Sequence, residues 1–384
     1  MNCISLKVLL AAIFLNLLAM PINSGAAVIF GYVSLLASIS LPIELMLHNG
    51  VYINKKQLYI TLAFLIIVSI NSILSLFTIE NEELESFVMA LVSFFTFLLS
   101  ISAKDVAYSE KDLRFYYLIT RVFSIIMILY TVLPFDFQYV TVNEYGNKEF
   151  TLSMGNPNAT ATKILFAIIV LCIEVITRKR IILRFFDVVL ISGLVNIIVR
   201  LRSRTALICS IIFLVYALFL RFPIKKWMAN WVWVIPVVFI PIQIMLKERP
   251  LWGMLDKAFA SGREDLFADY LELISSSPMQ FVLGDFAQNQ LSNTHNIIFA
   301  LIFNFGFIGA ALYLYFWRVE SKALEKASNS MAKLAWMGWI VFVIHSMAEA
   351  AALSGAFTFG AIIIFLNRLT KDTVITEKII QEKA

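Results

Sequence analysis

The sequence predicts an all-α integral membrane protein, a polytopic bundle of about 12 transmembrane helices with a long, partly helical periplasmic loop. Three observations lead there. The chain is 60% hydrophobic, with a mean hydropathy of +0.83. Only 15% of its residues are charged, against about 25% in a soluble domain. Apolar runs of roughly 17–25 residues recur along almost the whole 384-residue length, each long enough to cross a hydrocarbon core of about 30 Å. Lipid offers the backbone no hydrogen-bond partners, so these runs must pair internally as helices. A single polytopic domain over 1–384 follows, with no soluble module beyond its loops.

Twelve spans are read at about 5–22, 26–47, 57–78, 86–103, 114–133, 159–177, 185–201, 204–220, 229–246, 294–317, 334–350 and 354–368. Lys7, the apolar run to Met20 and Ser24-Gly25-Ala26 also fit a signal peptide. Further spans follow immediately, so this stretch is read as an uncleaved first span. Spans seven and eight are joined by a very tight connection. Span eleven carries His345 and Glu349 near its end.

Basic residues set the orientation, because cytoplasmic loops carry the excess of Lys and Arg. Lys7, the loops containing Lys55, Lys111, Arg178, Arg221 and Arg318, and the tail from Arg368 together hold 21 of the 31 basic residues. The opposite side includes the acidic stretch Glu80-Asn81-Glu82-Glu83-Leu84-Glu85. Both termini are therefore expected in the cytoplasm, and the long loops, roughly 134–158 and 247–293, on the outer side.

Long loops in multi-span proteins need a reason. In 247–293, Ser261-Gly262-Arg263-Glu264 reads as a capping box. Leu266, Phe267, Tyr270 and Ile274 follow at helical spacing, and Ser275-Ser276-Ser277-Pro278 ends that helix. An earlier amphipathic piece holds Leu251, Trp252, Leu255 and Phe259. Two short helices are expected to lie over the outer membrane surface as a cap.

Five arginines break the orientation bias: Arg200, Arg202, Arg204, Arg249 and Arg263. Arg forms bidentate bonds to phosphate, so anionic groups at the membrane surface are a reason to hold them there. The simpler reading for Arg202 and Arg204 is snorkelling to lipid headgroups. A helical turn would put Arg200 and Arg204 on one face and point Arg202 away. Gly155-Asn156-Pro157-Asn158-Ala159-Thr160 opens span six. Asn156 fits an N-cap and Pro157 the first helical position, which is either plain capping or a helix N-terminus aimed at an anion. At the entry to span ten, Asn293-Thr294-His295-Asn296 places a histidine among polar neighbours. His295 is then an interface residue or a general base or charged donor.

Other features have plainer readings. Cys3, Cys172 and Cys209 lie in or at apolar spans as small buried hydrophobes, without disulfide or metal spacing. His345 and Glu349 stand at i, i+4, but no third ligand completes a zinc pattern, so no metal and no cofactor is expected. Gly306, Gly309 and Ala310 suit close helix packing. The net charge of +5 is spread in short clusters beside spans, which excludes a nucleic-acid-binding face.

Taken in order, these pieces resemble the bacterial superfamily of O-antigen polymerases, of the Wzy type, and O-antigen ligases. The resemblance rests on Gly155-Asn156-Pro157-Asn158, Arg202-Ser203-Arg204-Thr205-Ala206, Ser261-Gly262-Arg263, His295-Asn296 and Asn304-Phe305-Gly306-Phe307-Ile308-Gly309. It covers about 150–317 and lacks the spaced Arg-to-Gly loop motifs of some polymerases. The resemblance implies a glycosyltransferase of the bacterial inner membrane whose active site faces the periplasm. Its donor and acceptor would be glycans on undecaprenyl diphosphate, with membrane lipids and a chain-length regulator as further partners. Arg204, Arg249 and Arg263 would stabilise the diphosphate as its charge develops. His295 would activate the acceptor hydroxyl or orient the diphosphate. Arg200, Asn156, Asn158 and Asn296 would complete the substrate site. The alternatives are an O-antigen ligase, with lipid A core as acceptor, and an oligosaccharide flippase. Against the flippase stand the structured outer loop and an expected lack of ionisable residues in mid-span.

Overall fold

A computed structural model describes residues 4–49, 55–75, 110–141, 148–154, 156–177, 180–219, 272, 278–284, 296–324 and 330–347. Ten α-helices fall in these segments: α1 Ile4–Ala19, α2 Ser24–Asn49, α3 Lys55–Ser75, α4 Glu110–Val132, α5 Pro157–Thr177, α6 Ile181–Arg200, α7 Arg204–Leu218, α8 Pro278–Leu283, α9 Ile297–Leu324 and α10 Ser330–Ser346. Nine of the read spans coincide with α1–α7, α9 and α10. Spans four, nine and twelve lie outside the described residues, as do the capping box at Ser261 and the amphipathic piece around Trp252.

Five helices are long and apolar enough to cross a membrane by length and composition: Ser24–Glu44, Lys111–Val132, Pro157–Thr177, Ile181–Arg200 and Ile297–Tyr315. The chain is thus a helical membrane protein. Helix α7 has 15 residues, about 22 Å at 1.5 Å per residue, which falls short of a full crossing.

The bundle is built around α5. Every residue from Ile164 to Cys172 is buried and apolar, so this stretch of α5 has no lipid-facing side and reads as a core helix. Helices α4, α6, α7 and α10 pack on it. Phe14 of α1 stacks on Phe123 of α4, with ring centroids 4.2 Å apart, and lies 6.1 Å from Phe166 of α5. The periphery looks different. On α6, Ile181, Ile182, Phe185, Val188 and Val189 are exposed, an apolar surface suited to hydrocarbon.

Helices α1 and α2 form an antiparallel hairpin. Asn23 caps α2 by accepting a 3.1 Å bond from the Ala26 amide. The start of α1 is capped from across the hairpin, where the Glu44 carboxylate accepts the Ile4 and Ser5 amides at 2.7 Å each. A carboxylate there also meets the positive end of the helix dipole. The stretch that fits a signal peptide is packed into the core along Leu6, Leu9, Leu10, Ile13 and Leu17.

The connection after α4 is folded. A 3-10 turn, Asp136–Gln138, leads into strand β1 Tyr139–Thr141, which pairs antiparallel with β2 Lys148–Phe150. Buried Gln138 holds this piece to the end of α4 by donating to the carbonyls of Tyr130 (2.7 Å) and Leu133.

Pro278 occupies the first position of α8, where its missing N–H costs nothing; the helix that Ser275-Ser276-Ser277-Pro278 is expected to end lies outside the described residues, save Glu272. Two expectations change here. The α6–α7 turn is not helical, because Arg202 takes a left-handed φ of 53°, so the shared-face argument for Arg200 and Arg204 does not apply. Span interiors also hold ionisable groups. Arg121, midway along α4, is ion-paired with Glu174 of α5 and Asp187 of α6. The pairing offsets the cost of burial that a single arginine would face.

Candidate functional site

Side-chain contacts show which helix ends lie together. Thr162 near the start of α5 meets His345 near the end of α10, with Oγ1 and Nε2 3.4 Å apart. Asn296 at the start of α9 donates to the Met347 carbonyl just beyond α10 at 3.0 Å. Cys209 of α7 donates to the Val341 carbonyl of α10 at 3.5 Å. From Cys209 back to Ser203, and from Val341 on to Met347, each chain advances six residues, about 9 Å. The start of α7 therefore stands level with the end of α10. Arg200 joins the same end by donating to the Thr131 carbonyl of α4 at 3.1 Å.

One end of the bundle thus gathers the N-termini of α5, α7 and α9. Each N-terminus leaves amides without helical partners and carries partial positive charge. Among the described residues, Arg200, Arg202 and Arg204 add full charges there, and the folded connection carries Asp136, Lys148 and Glu149. An anion of the phosphate class suits this arrangement.

The site residues read from sequence distribute as follows. Asn156 is an N-cap, as expected: its Oδ1 accepts the Asn158 amide at 2.8 Å and its carbonyl the Thr160 amide at 3.1 Å. It is exposed, and Asn158 is half-buried. Asn296 is fully buried; its Oδ1 accepts the Ile298 amide at 2.8 Å while its Nδ2 holds Met347. Both polar atoms of Asn296 are thereby committed to positioning the start of α9. Arg204 is the first residue of α7 and half-buried. Arg202 is exposed. Arg200 is engaged within the protein: besides Thr131 it donates to the Tyr139 hydroxyl at 3.2 Å and lies 4.1 Å from the Phe150 ring centroid. It fastens the paired strands to the end of α6. His295, Arg249 and Arg263 lie outside the described residues, as does Gly155.

The structure adds burial to several polar groups that the sequence does not single out as site residues. His345 and Asn304 are fully buried, as are Thr160 and Ser346. Ser203 precedes α7 in the N-cap position with 2% exposure, yet its hydroxyl caps no amide and makes no hydrogen bond. The available signal was the position of His345 near the end of an apolar span, which drew attention only as a metal pair with Glu349. Glu349 lies outside the described residues. Among the described residues no group of three or more His, Cys, Asp or Glu could hold a metal ion. Cys172 and Cys209 are buried, as expected.

The fold and this end define a polytopic helical membrane protein with a cationic, polar-cored helix-terminal site. No family model matches the chain, and no curated protein matches it either.

Proposed function

We propose that the protein is an O-antigen polymerase, a bacterial inner-membrane glycosyltransferase that joins repeat units carried on undecaprenyl diphosphate at the periplasmic face. In this reading the chain crosses the membrane about 12 times, with both termini in the cytoplasm. The observation that carries the reading is the meeting of the α5, α7 and α9 starts at one end. Asn156, Arg204 and Asn296, drawn from separate sequence constellations, stand at these helix starts, at one end of the bundle. A diphosphate leaving group needs cationic stabilisation as its charge develops, and arginine with helix amides provides it. Asn296, locked to Met347, fixes the chain next to His295, which in this reading activates the acceptor hydroxyl.

One observation favours a second reading. The buried Arg121–Glu174–Asp187 cluster is the kind of intramembrane charge that marks transport pathways, which supports an oligosaccharide flippase. Deleting the gene and resolving surface polysaccharide on a gel separates the cases. A single repeat unit capping the core is the expected result. Loss of all capping with accumulation of lipid-linked polymer means a ligase. Loss of all exported repeat units means a flippase.

A further inference from the structure

Helix α9 is broken in the middle of a membrane-length apolar run. Gly306 has φ 66° and ψ −176° inside it, a conformation that L side chains rarely adopt. The break lies nine residues beyond Ile297, roughly 14 Å along the helix axis. Seated on it is the segment 278–284. A Cβ on Gly306 would run into the Val282 carbonyl and the Leu283 amide, and a Cβ on Gly284 would run into the backbone of Asn304, Phe305 and Gly306. Backbone meets backbone, and only glycine permits that approach on either side. Next to the contact Phe281 stacks on Phe307, with centroids 5.9 Å apart.

The surface of the segment is as informative as its seat. Met279, Phe281 and Val282 are exposed, and every residue of Pro278–Leu283 except Gln280 is apolar. Beside them on α9, Phe307 and Ile308 are exposed too. A helix on an aqueous surface would put polar groups on its open side. Here the open side is apolar and continues the outward face of a membrane span. A six-residue helix, about 9 Å long, cannot itself cross a hydrocarbon core of about 30 Å. Short helices and breaks at membrane depth are tolerated where the backbone is buried against protein.

We propose that residues 278–284 are embedded in the bilayer at the depth of Gly306, as a membrane-penetrating segment seated on the break in α9, with acyl chains as the partner of its open face. This departs from the expectation that the whole 247–293 region lies over the membrane surface, and it is independent of the glycosyl-transfer reading.

The test uses the full chain in native membranes with its three native cysteines replaced by Ala. Single cysteines are placed at Met279, Val282, Phe307 and Arg202 and treated with a charged, membrane-impermeant maleimide in opened vesicles. A thiol in hydrocarbon stays protonated, and each unit of pKa elevation slows its reaction about tenfold. Met279→Cys and Val282→Cys should label as slowly as Phe307→Cys in the span, and at least about tenfold more slowly than exposed Arg202→Cys. Labelling at the Arg202→Cys rate overturns the proposal. Adding Gly306→Ala to Met279→Cys tests the seat: the new methyl should expel the segment and raise labelling toward the Arg202→Cys rate. Slow labelling that persists in a stably inserted Gly306→Ala protein overturns docking on the break. If that variant fails to insert, the single-cysteine rates decide alone.

Discussion

Arg121 of α4 grips Asp187 of α6 at two points, Nε to Oδ1 at 2.7 Å and Nη2 to Oδ2 at 2.8 Å. The same guanidinium reaches Glu174 of α5 at 2.6 Å, and both carboxylates are almost fully buried. One arginine therefore joins three helices and answers two acids. Its removal leaves two like charges facing each other without a counterion, whereas loss of either acid leaves a matched pair. Arg121→Leu should destabilise by on the order of 3–5 kcal/mol, with Asp187→Leu and Glu174→Leu each costing less. Thermal unfolding in detergent reads the order. An Arg121→Leu protein that melts like the unaltered chain contradicts it.

A second prediction concerns Arg200, which sits over Phe150 and donates to Thr131 and Tyr139. If it fastens the paired strands to the bundle, Arg200 and Phe150 are energetically coupled. A double-mutant cycle with Arg200→Ala and Phe150→Ala should give a coupling of about 0.5–2 kcal/mol in stability. Additive losses, with no coupling, would mean that the ring contact contributes nothing and that Arg200 is available for a ligand.

How much of this was legible follows from range. Apolar runs are local, so α5 at Pro157–Thr177 and α6 at Ile181–Arg200 lie close to the spans read at 159–177 and 185–201. Asn156 and Pro157 mark the start of α5 by local chemistry, and they were readable for the same reason. The Arg121 cluster was not, because its acids lie 53 and 66 residues further along the chain and each looks like an isolated span-end charge. The pairing of Tyr139–Thr141 with Lys148–Phe150 escaped because three residues show no measurable alternation. Arg202 was placed in a tight turn, but its positive φ was not foreseen, since that geometry normally recruits glycine.

Orientation yields a third prediction. The charge count puts 247–293 on the outer side, from which 278–284 enters the bilayer once seated on α9, and the α9–α10 connection inside. Alkaline phosphatase fused after Asp285 should be active, and fused after Lys326 inactive. The reverse pattern would move the whole helix-terminal site to the cytoplasmic face and overturn the polymerase reading.

The last prediction concerns how the site holds its anion. Arg204 begins α7 beside the unbonded Ser203 hydroxyl, where helix amides and dipole already favour negative charge. Arg263 shares the orientation anomaly on the sequence. If both grip a diphosphate through the planar guanidinium fork, charge alone will not replace them. Arg204→Lys and Arg263→Lys should fail nearly as badly as the Ala variants, each losing on the order of 2–5 kcal/mol of binding. Arg202 provides the control, because it is exposed and held in a left-handed conformation that glycine adopts without strain. Arg202→Gly should leave function intact and match or raise stability. The readout is polysaccharide chain length in a deletion strain at matched protein level. Normal chains from Lys at 204 and 263, or failure confined to the 202 variant, would show that the arginines serve the membrane surface and not the substrate.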